Sequence, residues 1–192
     1  MKGVELKTGR LLLRTIRLSD AEAVFGYRSR PEVSKYQGST ASLAHTRRLI
    51  KLTAGLRPNT PRTWYQFAVL EKASGALIGD IAIHFRDKEN RQVELGYTLA
   101  PEYQGKGYAS EAAARVLDYL FGTLKKHRVS ASVDPRNGRS VKLLERLGMR
   151  KEGCFKKSFW TGRAWADDAV YAILKEEWTK PGEKRDRPQK GT

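Results

Sequence analysis

The residues with the most chemical content stand together in Gln104-Gly105-Lys106-Gly107-Tyr108-Ala109. Two glycines one residue apart let the backbone turn closely, so several N–H groups point at one place. A helix predicted from about Gly107 adds the positive end of its dipole, and an anion such as a phosphate sits well there. Glycine turns also precede helices for purely structural reasons, so the motif needs neighbours to carry weight. The charge has the matching sign: from Lys125 to Lys157 there are eleven Lys or Arg against three acidic residues, Asp134, Glu145 and Glu152. Such a stretch attracts nucleotide phosphates, an acidic protein or RNA, or else serves only as a solvated face. Cys154 is the one cysteine, which excludes an intrachain disulfide and a cysteine-built metal site, and its ordinary use is as a small buried hydrophobe.

Seven strand-like segments and the helices between them must position these residues. The apolar run Arg10 to Arg17 reads as a strand, and Ser19-Asp20-Ala21-Glu22 reads as a capping box opening a helix that stops near Pro31. A second helical pattern covers Ser42 to Ala54, followed by turn residues to Pro61. Thr63 to Glu71, Leu77 to Arg86 and Arg91 to Leu99 form an antiparallel meander. From Gly107 to Leu124 the apolar positions fall on one helical face. Arg128 to Val133 returns as a strand, Ser140 to Leu147 as a helix closed by Gly148, and Cys154 to Trp160 with Asp168 to Leu174 as a closing hairpin. The reading is one domain over residues 1–179, with a basic, disordered tail at 180–192.

The stretch from Glu94 to Ala112 resembles the strand, loop and helix of the GNAT N-acetyltransferase superfamily, whose signature of Gln or Arg, two residues, Gly, one residue, Gly or Ala is met by Gln104, Gly107 and Ala109. Asn137 to Met149 resembles the second block of that superfamily, and the wider spacing, from Arg10-Leu-Leu-Leu-Arg14 to Asp168 through Lys175, resembles its RimJ/RimL branch over residues 8 to 178. The resemblance implies an α/β (α+β) fold: a mixed, mostly antiparallel sheet of about six to seven strands, splayed between strands 4 and 5, with about four flanking helices. It also implies acetyl-CoA as cosubstrate and no metal. The cofactor would be held by Gln104, Gly105, Lys106, Gly107, Tyr108 and Ala109, with a bulge exposing a backbone N–H near Leu99 toward the thioester carbonyl. Asn137 would touch the pantetheine arm, Ser140 would lie near the sulfur, and Lys142 or Arg139 would meet the ribose phosphate.

One position departs from the family. Where many members carry a tyrosine as general acid, this chain has Leu144. Ser140, directly or through water, is the replacement, although a hydroxyl at a helix start also serves simply to satisfy backbone. Glu94 is the first candidate for the base that frees the acceptor amine, with His84 second; pairing with an arginine is the alternative use of Glu94. By the same resemblance Trp160, Trp165, Asp167 and Asp168 lie where the acceptor enters, although core packing and turn chemistry account for them better.

A net charge of +16 suits an acidic or ribosome-associated acceptor, and the RimJ/RimL likeness implies the N-terminal amine of a ribosomal protein. The same charge disfavours polycations such as aminoglycosides or polyamines, which remain the alternative acceptors. An RNA-binding or ribosome-associated module that binds CoA without catalysis is the further reading. No apolar run is long enough to span a bilayer and the first ten residues have no secretory pattern, so a cytoplasmic monomer or homodimer is expected.

Overall fold

The computed structural model describes residues 3–38 and 42–179. Its centre is one eight-stranded sheet in the order β1-β2-β3-β4-β5-β6-β8-β7. The strands are β1 (Glu5–Lys7), β2 (Leu11–Thr15), β3 (Trp64–Glu71), β4 (Leu77–Phe85), β5 (Gln92–Leu99), β6 (Arg128–Val133), β7 (Arg150–Trp160) and β8 (Trp165–Leu174). Every neighbouring pair is antiparallel except β5 and β6. The helices are α1 (Ala21–Arg28), α2 (Pro31–Gln37), α3 (Leu43–Ala54), α4 (Tyr108–Asp118), which runs into a π turn at Tyr119–Thr123, and α5 (Gly138–Arg146).

Strand alternation divides the interior. On β3, Tyr65, Phe67 and Val69 face a large core under α4 and α5, while Ala68 faces a smaller one shared with Ile16, Val24, Tyr27 and Ile50 beneath α1 and α3. α4 supplies Ala113, Val116 and Leu117 to the large core, on the stripe its periodicity predicts, and Ala112 beside them. The helical arm is pinned by buried polar groups. Asp80 on β4 is fully buried and accepts from Tyr27 Oη (2.5 Å), Arg28 Nη2 (2.6 Å) and Gln66 Nε2 (2.7 Å).

Among the described residues the sheet therefore has eight strands rather than six to seven, and five α-helices flank it rather than four. β1 is too short to show a period, and Pro31 opens a second helix at its first position as well as ending the approach to it. The expected capping box does not form. Asp20 is the residue before α1 but leaves that helix uncapped, accepting instead from Arg17 N–H (2.8 Å) and both Arg14 Nη atoms. Ser42 does cap α3, accepting from His45 N–H at 3.1 Å. β7 begins at Arg150, and β8 at Trp165, so the closing hairpin is longer than expected. The expected tail at 180–192 lies outside the described residues.

Candidate active site

The site is made where β5 and β6 part. Their parallel pairing covers only Gln92, Glu94 and the residue between them, against Arg128 to Ser130. Beyond Glu94 the two strands diverge, which is the expected splay between the fourth and fifth predicted strands. Ala100 N–H donates to Ile78 O on β4 at 2.9 Å, so by alternation the polar groups of Leu99 and Tyr97 point to the other side, into the gap. The exposing device is the splay and not the expected bulge: β4 and β5 keep one register from Phe85↔Val93 to Gly79↔Leu99. Gly79 is required there, since a Cβ would lie 2.3 Å from Thr98 O.

Side-chain amides take the two carbonyls on that free edge. Gln104 Nε2 donates to Leu99 O (3.0 Å) and Gln37 Nε2 to Tyr97 O (3.2 Å). Thr98 Oγ1 holds Gln37 by donating to its Oε1 at 2.9 Å. The edge left facing the gap offers N–H donors and few acceptors. Across the gap Tyr97 Oη donates to Ser140 O at 3.3 Å, tying β5 to the start of α5, and burial pushes this phenol up to about 12.

A cavity of about 510 Å³ runs from this gap past the glycine loop. Gly105 (φ 78°) and Gly107 (φ 81°) hold left-handed conformations that a side chain disfavours. Gly107 starts α4 without a side-chain cap, so the first-turn N–H groups keep their donor capacity for an anion. Arg10, just before β2, braces the loop: Nη1 donates to Lys106 O (3.0 Å), Nη2 pairs with Glu111 (2.7 Å), and its guanidinium lies 4.4 Å from the Tyr108 ring centre. Burial raises the Glu111 carboxyl, but Thr8 and Arg10 outweigh it and hold the group below its ordinary range.

Of the residues expected around a cofactor, Leu99, Gln104, Gly105, Gly107, Tyr108, Ala109, Asn137, Ser140 and Lys142 all line this cavity. Lys106 does not; its Nζ lies over the Tyr103 ring at 5.5 Å. Asn137 caps α5, with Oδ1 accepting from Ser140 N–H at 3.3 Å, so the serine hydroxyl is not the cap. Arg139 lines the cavity and donates to Gln104 Oε1 at 3.3 Å. Arg146 joins Lys142 on the same helix face, a residue sequence reading missed although its spacing of four was available. Gln37, Tyr97 and Arg10 were missed as site residues because their partners lie on other elements.

The residues expected to act on the acceptor are placed differently. Glu94 lines neither this cavity nor its neighbour; its Oε2 is 4.0 Å from both His84 Nδ1 and Arg86 Nε. It shares a sheet face with Thr98 but lies four residues away, about 14 Å along the strand. His84 stacks on Trp64 with ring centres 4.6 Å apart. Leu144 is buried in the large core, as its apolar type requires. Trp160 and Trp165 are not core residues: they are 51% and 59% exposed and face each other across the hairpin at 5.3 Å. Asp167 is paired with Lys156 (2.9 Å), and Asp168 accepts from Ser132 Oγ.

The donor-rich edge, the uncapped helix start and the flanking Arg139, Lys142 and Arg146 fit a long polyanionic thioester such as acetyl-CoA. Among the described residues no cluster of three or more His, Cys, Asp or Glu could hold a metal, and no helix is long and apolar enough to cross a membrane.

The family described as "Acetyltransferase (GNAT) domain" matches residues 10–150. The chain is 35% identical to the Uncharacterized N-acetyltransferase YnaD of Bacillus subtilis over 91% of this chain and 99% of that one. A crystal structure of an acetyltransferase (GNAT family) from Bacillus anthracis is 36% identical, with a TM-score of 0.80, over 91% of this chain and 100% of the other. The [Ribosomal protein uS5]-alanine N-acetyltransferase of Escherichia coli is 39% identical over 46% of this chain and 45% of its own.

Proposed function

The chain belongs to the GNAT acetyltransferase family and is an N-acetyltransferase, and from that premise we propose that it moves the acetyl group of acetyl-CoA directly to the N-terminal amine of a protein, a ribosomal protein in the first instance. The observation that carries the reading is the free edge of β5, where Gln104 and Gln37 occupy the carbonyls of Leu99 and Tyr97 and leave N–H donors facing the gap.

Acetyl-CoA, when bound, supplies a thioester carbonyl carbon to attack and a thiolate that departs readily. The Leu99 N–H donates to the carbonyl oxygen as negative charge grows on it. The acceptor nitrogen forms its bond to carbon as the carbon–sulfur bond breaks; the amine loses a proton and the sulfur gains one. The Ser140 hydroxyl lines the cavity at the start of α5 and delivers the proton to sulfur, itself or through a water. The Tyr97 hydroxyl is held on Ser140 O across the gap, a positioning contact between β5 and α5. Glu94 takes the amine's proton over a distance that water must bridge. The loop backbone and the first turn of α4 hold the pyrophosphate, with Arg139, Lys142 and Arg146 beside it.

The E. coli relative's ribosomal-protein acceptor and the +16 charge of this chain support a ribosome-associated acceptor, and with it a cytoplasmic place of action. Incubation with acetyl-CoA and N-terminal peptides of ribosomal proteins, an aminoglycoside or spermidine, followed by intact mass, tests the reading. Peptide mass rises by one acetyl group, and Gly107→Glu, which puts a carboxylate in the anion cradle, abolishes it. In the same assay Glu94→Gln slows turnover about a hundredfold without changing the KM for acetyl-CoA. An unchanged rate returns Glu94 to a pairing role with His84 and Arg86.

A further inference from the structure

Gln37 is also a wall of a second cavity, about 560 Å³, between α1, α3 and the faces of β3 and β4. Its sides are Leu49, Leu52, Leu56 and Trp64, and its floor carries Arg28 and Gln66. The described residues that line it include no Asp or Glu. Asp80 lies beneath the floor, and its capacity is used: Oδ1 accepts from Tyr27 Oη and Arg28 Nε, and Oδ2 from Arg28 Nη2 and Gln66 Nε2. Arg28 is 27% exposed, and among the described residues its Nη1 has no hydrogen-bond partner.

A cation entering this cavity gives up water and finds no counter-charge, against a protein field that already repels it. An apolar side chain entering the same space gains from the leucine and tryptophan walls. The chemistry favours the same choice. An amine must lose its proton before it attacks, and an apolar cavity without a carboxylate lowers the affinity of that amine for the proton. Arg28 Nη1 offers one donor, and because Asp80 balances the guanidinium charge, a neutral carbonyl suits it as well as an anion does. Gln37 lines both cavities and its amide is fixed on the edge of β5, so a body in the second cavity sits one side chain away from the first.

We propose that the second cavity receives the body of the acceptor and selects an amine on an apolar, uncharged body with a carbonyl close by: the amino terminus of a peptide with an apolar leading side chain, its first carbonyl received by Arg28. This rests on the N-acetyltransferase reading above and narrows its substrate class. Polyamines and aminoglycosides are excluded as preferred acceptors by the same cavity.

Acetylation of a Leu-initiated tetrapeptide, a Lys-initiated tetrapeptide and spermidine is compared for the wild type and Leu52→Glu. Leu52 is 63% exposed on the cavity wall, so the variant adds a carboxylate without opening the core. The wild type prefers the Leu peptide to the Lys peptide by about tenfold or more in kcat/KM, and Leu52→Glu lowers that ratio by about tenfold. The inference is overturned if the wild type prefers spermidine or the Lys peptide, if neither peptide is acetylated, or if Leu52→Glu leaves the ratio unchanged. Acetyl-CoA binding, followed by thermal shift on the same samples, separates the two failures. Binding retained with the wrong preference removes only this inference, and binding lost removes the enzyme reading beneath it.

Discussion

Gln104 joins three parts of the site: its Nε2 holds Leu99 O, its Oε1 accepts from Arg139, and its own backbone opens the glycine loop. Gln104→Ala frees the Leu99 carbonyl, which then competes for donors and faces the thioester oxygen with like charge. Its KM for acetyl-CoA rises about tenfold, corresponding to a loss of about 1.4 kcal/mol, while the urea midpoint stays near wild type; steady-state kinetics and a denaturation curve check both. Sequence pointed to Gln104 because the motif spacing fixes it against two glycines. It gave no sign of Gln37, which performs the matching task at Tyr97, because the partner is sixty residues away and an isolated glutamine at the end of a short helix has no pattern. Ser140 was open to two readings in sequence, and the residue that caps α5 is Asn137 rather than Ser140.

The elements are held at the angle the site needs by ion pairs beneath the helical arm. Arg14 on β2 and Asp20, just before α1, meet at 2.7 Å with both side chains largely buried. Burial alone would raise the Asp20 carboxyl, but hydrogen bonds from Arg14 and from the Arg17 N–H bring it below the ordinary value. Because its folded pKa is depressed, the group stabilises the fold above the unfolded value near 4, and that contribution is lost as pH falls through the folded one. Asp20→Asn costs about 2 kcal/mol at pH 7, and the difference from wild type shrinks as pH is lowered from about 5 toward 3; urea melts across that range show it. The sequence called this segment a capping box because Ser, Asp and Glu fall at the right offsets. The Asp20 carboxylate instead accepts from the Arg14 guanidinium on the adjacent strand and from the Arg17 N–H, and the capping pattern does not weigh a partner on a strand against one in the helix. The longer strands and α4 were readable from their apolar runs and helical stripe; β1 and α2 were not, being too short to show either.

At the scale of the whole molecule the excess positive charge is a field, and its effect is on encounter more than on fold. Raising ionic strength from about 0.05 M to 0.2 M shortens the reach of that field, and kcat/KM for acetyl-CoA falls several-fold while kcat changes little, as stopped-flow binding and steady-state rates together register. Composition alone determined that field, the periodicity of the chain determined the meander and the helix that follows it, and the motif residues Gln104, Gly107 and Ala109 carried the resemblance to the family. These are properties of residues near one another in sequence, where spacing translates directly into geometry. The gap between β5 and β6, the choice of splay over bulge at Leu99, the place of Gln37 in the lining of both cavities and the absence of a carboxylate among the described residues lining the second were decided only when distant segments packed. Each depends on which side chains from separate elements reach the same few ångströms, and that is fixed by the closing of the core, not by any stretch of chain read alone.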